Sequence, residues 1–278
     1  MQAKQDRDTG REKILPAAGM HRGAEFTPSA RRGTPDGKDN CIKTAAGEGK
    51  TVDFRFFVCY TVRMNRRNYQ KELERITEKL GSDRPRLLLH SCCGPCSSSV
   101  LETLTRHFDV TLLWYNPNIY PQSEFDRRLE AQKELLERMG LADAVKILFV
   151  PRESAEYYEC VKGLENEPEG GRRCRECFRL RLRRCAKLAA ENGFDWFCST
   201  LTVSRHKNTV LINTVGEEAA SVFGVRWLPS DFKKRGGENR SAELSEKYGI
   251  YRQLYCGCEF SLRRREEGAE RKTDENKS

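Results

Sequence analysis

The sequence predicts an α/β fold: a Rossmann-like parallel sheet with helices on both faces, followed by a cysteine-rich C-terminal segment. Three observations predict it. Short apolar runs alternate with amphipathic stretches between residues 69 and 248, the pattern of strands joined by crossover helices. The most polar and sulfur-rich stretches follow directly on the apolar runs, where a parallel sheet presents its carboxyl edge. The chain has 278 residues, room for one large domain with extensions at its ends.

Each element has a local reason. Leu73, Ile76 and Leu80 recur at helical spacing after Tyr69 and Gly81 ends the run, so 69–80 reads as a helix. RLLLH (86–90) is a buried strand, and Pro95, suited to a first helical turn, opens a helix over 95–107. VTLLWY (110–115) is a strand, and 123–139 is a long amphipathic helix closed by Gly140. A strand at 145–150 and a short helix at 154–161 follow. After Gly170-Gly171 comes a basic helix over 174–192. A strand at 195–199, a helix at 208–223, a strand at 225–229 and a helix at 238–248 complete the alternation. Residues 1–63 lack both periods and read as a disordered extension, apart from the apolar piece 52–62, which suits a short strand. Met64 opens a more ordinary start, so the catalytic domain is expected over 64–262. The charge run over 263–278 is expected to be a flexible tail.

Composition narrows the function. No apolar run approaches the roughly 20 residues a membrane span needs, and mean hydropathy is −0.74, which excludes a transmembrane protein. The 12 cysteines, with no apolar leader behind the opening basic residues, point to metal or redox chemistry in a reducing, cytoplasmic compartment. A net charge of +9 fits an RNA-binding surface, and equally a solvated basic exterior.

Three sulfur motifs carry the chemistry. Cys92-Cys93-Gly94-Pro95-Cys96 joins a strand to a helix start, where free N–H groups and the positive dipole end stabilise thiolates. Thiolates suit soft metals. Cys174-Arg175-Glu176-Cys177 is a half-site: a redox pair, half of a zinc site, or, with two sulfurs from Cys92, Cys93 and Cys96, a four-thiolate site for zinc or an iron–sulfur cluster. Cys256-Gly257-Cys258 is too tight for a relaxed disulfide between extended residues, which suits an easily reduced dithiol or two further metal ligands. Cys41, Cys59, Cys160, Cys185 and Cys198 are isolated and receive no role. Three polar loops remain: 204–208 leads into a helix and suits phosphate, 231–237 joins Asp231 to Lys233, Lys234 and Arg235, and 116–121 is a rigid turn before Glu124 and Arg128.

Together, LLLHSCCGPCS, WYNPNIYPQSEFDRRLE, GGRRCRECFRLRL, FCSTLTVSRHKN, SDFKKRGG and YRQLYCGCEFS resemble the QueH family of epoxyqueuosine reductases over residues 86–261. The resemblance implies a sheet of the adenine nucleotide alpha hydrolase-like group and a 4Fe–4S cluster held by Cys92, Cys93, Cys174 and Cys177. It implies Cys256 and Cys258 as a redox-active disulfide. Cys96 is then a near neighbour, a substitute ligand, or a ligand to a second metal such as a mononuclear iron. Gly94 stands where many relatives are expected to carry alanine. The implied reaction is the last step of queuosine formation: the epoxide at the wobble position of a tRNA anticodon loses its oxygen as water, consuming two electrons and two protons. The electrons come from an unidentified donor through the cluster, with the C-x-C pair as reservoir and Asp231 or a water as proton source. Lys207, Lys233, Lys234, Arg235 and the basic stretch 179–184 are expected to hold RNA phosphates. Two other readings are an iron–sulfur or ATP-dependent tRNA sulfurtransferase, which the absence of an S-G-G-x-D-S phosphate grip disfavours, and a zinc-stabilised RNA-binding module.

Overall fold

The computed structural model describes residues 67–275, with side chains through residue 270. The extension over 1–63, the piece 52–62, the start at Met64, Cys41 and Cys59 lie outside the described residues. The described chain runs α1 (Tyr69–Leu80), β1 (Arg86–His90), α2 (Gly94–Leu104), β2 (Asp109–Trp114), α3 (Gln122–Arg138), β3 (Lys146–Phe149), α4 (Ser154–Cys160), α5 (Arg172–Glu191), β4 (Trp196–Ser199), α6 (Thr209–Phe223), β5 (Arg226–Trp227), α7 (Gly237–Lys247) and α8 (Glu259–Glu275). Local signals set several boundaries. Asn68 and Asn208 cap α1 and α6 by accepting backbone N–H bonds, and Gly224 closes α6 in the left-handed region.

The five strands form one parallel sheet in the order β3-β2-β1-β4-β5. Strand β1 is central and buried on both sides, so its apolar run has no polar alternation. Alternate residues feed opposite layers. Leu87 and Leu89 pack with α1, α2 and α3, whereas Leu88 packs with α5 and α6. Helices therefore cover both faces, and the chain reverses its direction of strand addition on either side of β1. That switch opens a crevice at the carboxyl ends of β1 and β4.

Two expectations change. The last strand is only two residues long, because the chain leaves the sheet after Trp227 while Leu228 keeps one backbone bond to Phe197. The charged stretch from Arg263 is helical as far as it is described, continuing α8 to Glu275. Arg263 pairs with Glu259 one turn back, and Arg264 donates to the Glu167 carbonyl. Among the described residues, no helix is long and apolar enough to cross a membrane.

Candidate active site

The loop leaving β1 delivers the first sulfurs. Cys93 is the extended residue preceding α2, and Pro95 occupies the first turn of that helix. The Sγ atoms of Cys92, Cys93 and Cys96 lie within 4.8 Å of one another, a set able to hold a metal ion. Hydrogen bonds from Cys93 and Cys96 pull the Cys92 thiol well below its ordinary range, despite burial. Burial, then the hydrogen bond with Cys92, pushes Cys93 up to about 12. Its neighbours likewise raise Cys96. The trio thus gives up one proton readily and resists losing the others unless a cation arrives. Gln253 donates to Cys93 Sγ at 2.9 Å.

The second sulfur group comes from α5 and the segment before α8. Cys177 and Cys258 share an apolar cluster with Tyr157 and Val161, and Cys160 packs against it. Cys174 accepts the Gly170 N–H at 3.2 Å. It also packs against the layer containing Cys92 and Cys93. Cys174 and Cys177 are not part of the 4.8 Å trio. Cys256 and Cys258 stand as free thiols. Burial raises Cys177 to about 12 and also raises Cys258. Cys185 and Cys198 are fully buried core residues.

Three arginines are buried and hold this region together, among them Arg181, which was expected to hold RNA phosphate and is too deeply buried to do so. Arg128 pairs with Glu124 at 2.7 Å and donates to the carbonyls of Cys256 and Tyr255 at 3.1 and 3.2 Å. Arg173 donates to the carbonyls of Leu164, Glu165 and Glu167. Arg181 reaches His90, Asn116 and Cys177. The sequence did carry a signal: Arg173, Cys177 and Arg181 recur every fourth residue, one stripe of a helix.

A cleft of about 710 Å³ has Cys92, Cys96, Lys207 and Cys256 on its walls; Cys174 and Cys177 do not line it. Burial alone would lower the Lys207 ammonium, but the surrounding thiols, Cys256 foremost, hold it above its ordinary value. Arg205, Arg252, Arg264 and Arg265 stand around the same cleft, and Leu254 on it is 69% exposed. The other predicted residues sit elsewhere. Asp231 accepts a hydrogen bond from Thr209. Lys233 donates to the Lys207 carbonyl, tying the two loops together. Lys234 and Arg235 line a separate cavity of about 510 Å³, where Arg235 pairs with Glu74. Within the basic stretch, Arg179 pairs with Glu176 and Glu218, and Arg183 and Arg184 lie over the rings of Phe223 and Tyr115. Those arginines are engaged within the protein, which the alternating charge could not reveal.

A family profile described as epoxyqueuosine reductase QueH matches residues 87–264. The chain belongs to this family. The match spans β1 through the start of α8, so both sulfur groups and every residue lining the cleft except Arg265 fall inside the QueH region. The epoxyqueuosine reductase QueH of Streptococcus pyogenes serotype M1 is 42% identical over 203 residues, covering 72% of this chain and 79% of that protein. That of Staphylococcus epidermidis is 43% identical, covering 70% and 84%. Among solved structures, the U34-tRNA thiolase NcsA from Methanococcus maripaludis with its 4Fe–4S cluster is similar at a TM-score of 0.38 and 13% identity, over 69% of this chain and 67% of that one.

Proposed function

We propose that this chain reduces epoxyqueuosine to queuosine at the wobble position of tRNA, in the cytoplasm. The epoxide oxygen leaves as water, with two electrons and two protons consumed. The observation that carries the reading is one cleft, in a QueH chain, that collects thiols from the β1–α2 loop and the segment before α8, while Cys174 of α5 packs against the layer holding Cys92 and Cys93. The donor set suits an iron–sulfur group. Its sulfurs are thiols, N–H donors from Gly170 and Gln253 point at them, and the buried cation beside them, Arg181, pairs with no carboxylate among the described residues.

The residues proposed to hold a 4Fe–4S cluster are Cys92, Cys93, Cys174 and Cys177. Cys96 is proposed as a ligand of an additional mononuclear iron. When bound, the cluster supplies electrons one at a time from a donor protein or reductant. The protein's own groups do the remaining work. Cys256 and Cys258 form the redox-active dithiol, closing to a disulfide when oxidised. Lys207 sits within the cleft, where an ammonium can donate to the departing oxygen. Asp231, held by Thr209 outside the cleft lining on the loop that Lys233 ties to Lys207, or a water is the proposed proton source. Arg252 and Arg265 face RNA phosphates, and the exposed Leu254 offers an apolar surface to an unstacked loop base.

The decisive experiment incubates anaerobic protein and a reductant with tRNA carrying epoxyqueuosine, then weighs the released nucleosides. Loss of one oxygen from the modified nucleoside is expected, without ATP. A wild-type rate from the double variant Cys174→Ser, Cys177→Ser would remove those residues from the cluster.

A further inference from the structure

Arg181 lies one turn beyond Cys177 in α5 and is 2% exposed. Its Nε meets His90 Nε2 at 3.3 Å, its Nη2 donates to Asn116 Oδ1 at 3.0 Å, and its Nη1 donates to Cys177 Sγ at 3.8 Å. Among the described residues it has no carboxylate partner, unlike Arg128, which has Glu124. Its contact with the thiol site is the Cys177 sulfur. At position 116 an asparagine stands where an aspartate would neutralise the guanidinium. Its amide is fixed in that orientation by donating to the Ser91 carbonyl at 2.8 Å. A guanidinium buried without a carboxylate is costly to keep. It is also too deep to meet an RNA phosphate.

We propose that Arg181 is a positioning residue that fixes the electrical balance of the thiol site, raising the reduction potential of the iron–sulfur group held there. The inference rests on the reading that these thiols bind such a group. An added electron makes the site more negative, and a fixed cation in a poorly screened interior favours that state over the oxidised one. Charge, hydrogen bonding and burial around the sulfurs are the levers by which a protein sets such a potential. Asn116 preserves the effect by accepting from Arg181 without cancelling it.

The test is a spectroelectrochemical titration of the anaerobically reconstituted full chain, with iron and sulfide content measured alongside. Three variants separate charge from packing. Arg181→Gln removes the charge, Arg181→Lys keeps it, and Asn116→Asp leaves Arg181 in place but neutralises it. Arg181→Gln and Asn116→Asp are expected to retain iron and sulfide and to titrate at more negative potential. Arg181→Lys is expected to titrate close to wild type. If Arg181→Gln does not fold, the other two variants decide. Wild-type potential in Asn116→Asp, or a negative shift in Arg181→Lys as large as in Asn116→Asp, overturns the inference while the cluster reading stands. A wild-type protein that takes up neither iron nor sulfide overturns both.

Discussion

Gly257 shows how much one position settles. Its φ is +124°, a conformation side chains avoid, and a Cβ there would come within 2.9 Å of Arg128 Nη1. The glycine lets the two cysteines flank a bend pressed onto the arginine that holds them. Gly257→Ala is expected to cost about 1–3 kcal/mol in urea unfolding and to make Cys256 react faster with a thiol reagent in the folded protein. Gly94 is constrained differently. Its backbone is ordinary, but a Cβ would stand 2.8 Å from the Ala131 carbonyl oxygen and 3.0 Å from Ile250 Cγ2. In this chain Gly94→Ala should therefore lose roughly 1–3 kcal/mol of stability, measured as a fall in the urea midpoint. If stability held, α2 and α3 would have to separate slightly without penalty.

At the scale of elements, α3 and α5 act through buried cations. Arg128 on α3 holds the carbonyls of Tyr255 and Cys256, at the start of the C-x-C turn, from outside their own segment. Arg128→Met would leave Glu124 buried with only Tyr251 donating to it. A loss of about 3–5 kcal/mol is expected, with Cys256 and Cys258 newly exposed to alkylation; unchanged alkylation would mean that Gly257 and the apolar cluster suffice. The sequence showed where α5 begins and ends to within a few residues because apolar residues recur along it. It hid what the arginines do, since a charge in an amphipathic pattern usually faces water. Helix α8 was hidden for a related reason. Besides the local pair Arg263–Glu259, it is held by Arg264 on the Glu167 carbonyl and Arg173 stacked on Phe260, contacts that join distant stretches.

For the whole molecule, the alternation of strands and helices was legible because a parallel sheet imposes it. The convergence of loops at one edge follows from the same topology. The grouping of sulfurs was less legible: local spacing put Cys92, Cys93 and Cys96 together, whereas which other pair approaches depends on how α5 and the segment before α8 pack. The same limit applies to the cations. Lys207 belongs to the thiol cleft, while Lys234 and Arg235, near it in composition, line another cavity. Binding of an anticodon stem-loop should weaken steeply with salt. The pair Arg252→Ala, Arg265→Ala should reduce both affinity and salt slope, and Lys234→Ala should change them less; fluorescence anisotropy at several ionic strengths distinguishes these outcomes.

The order in which the cleft's walls occur along the chain has a consequence for synthesis. Vectorial translation delivers the trio at the β1–α2 junction long before the ribosome releases residues 252–265, which close the opposite side. A nascent chain can bury its central strand and display three thiols while that flank is still missing. Metal offered at that stage would meet a more accessible set of sulfurs than metal offered to the finished protein.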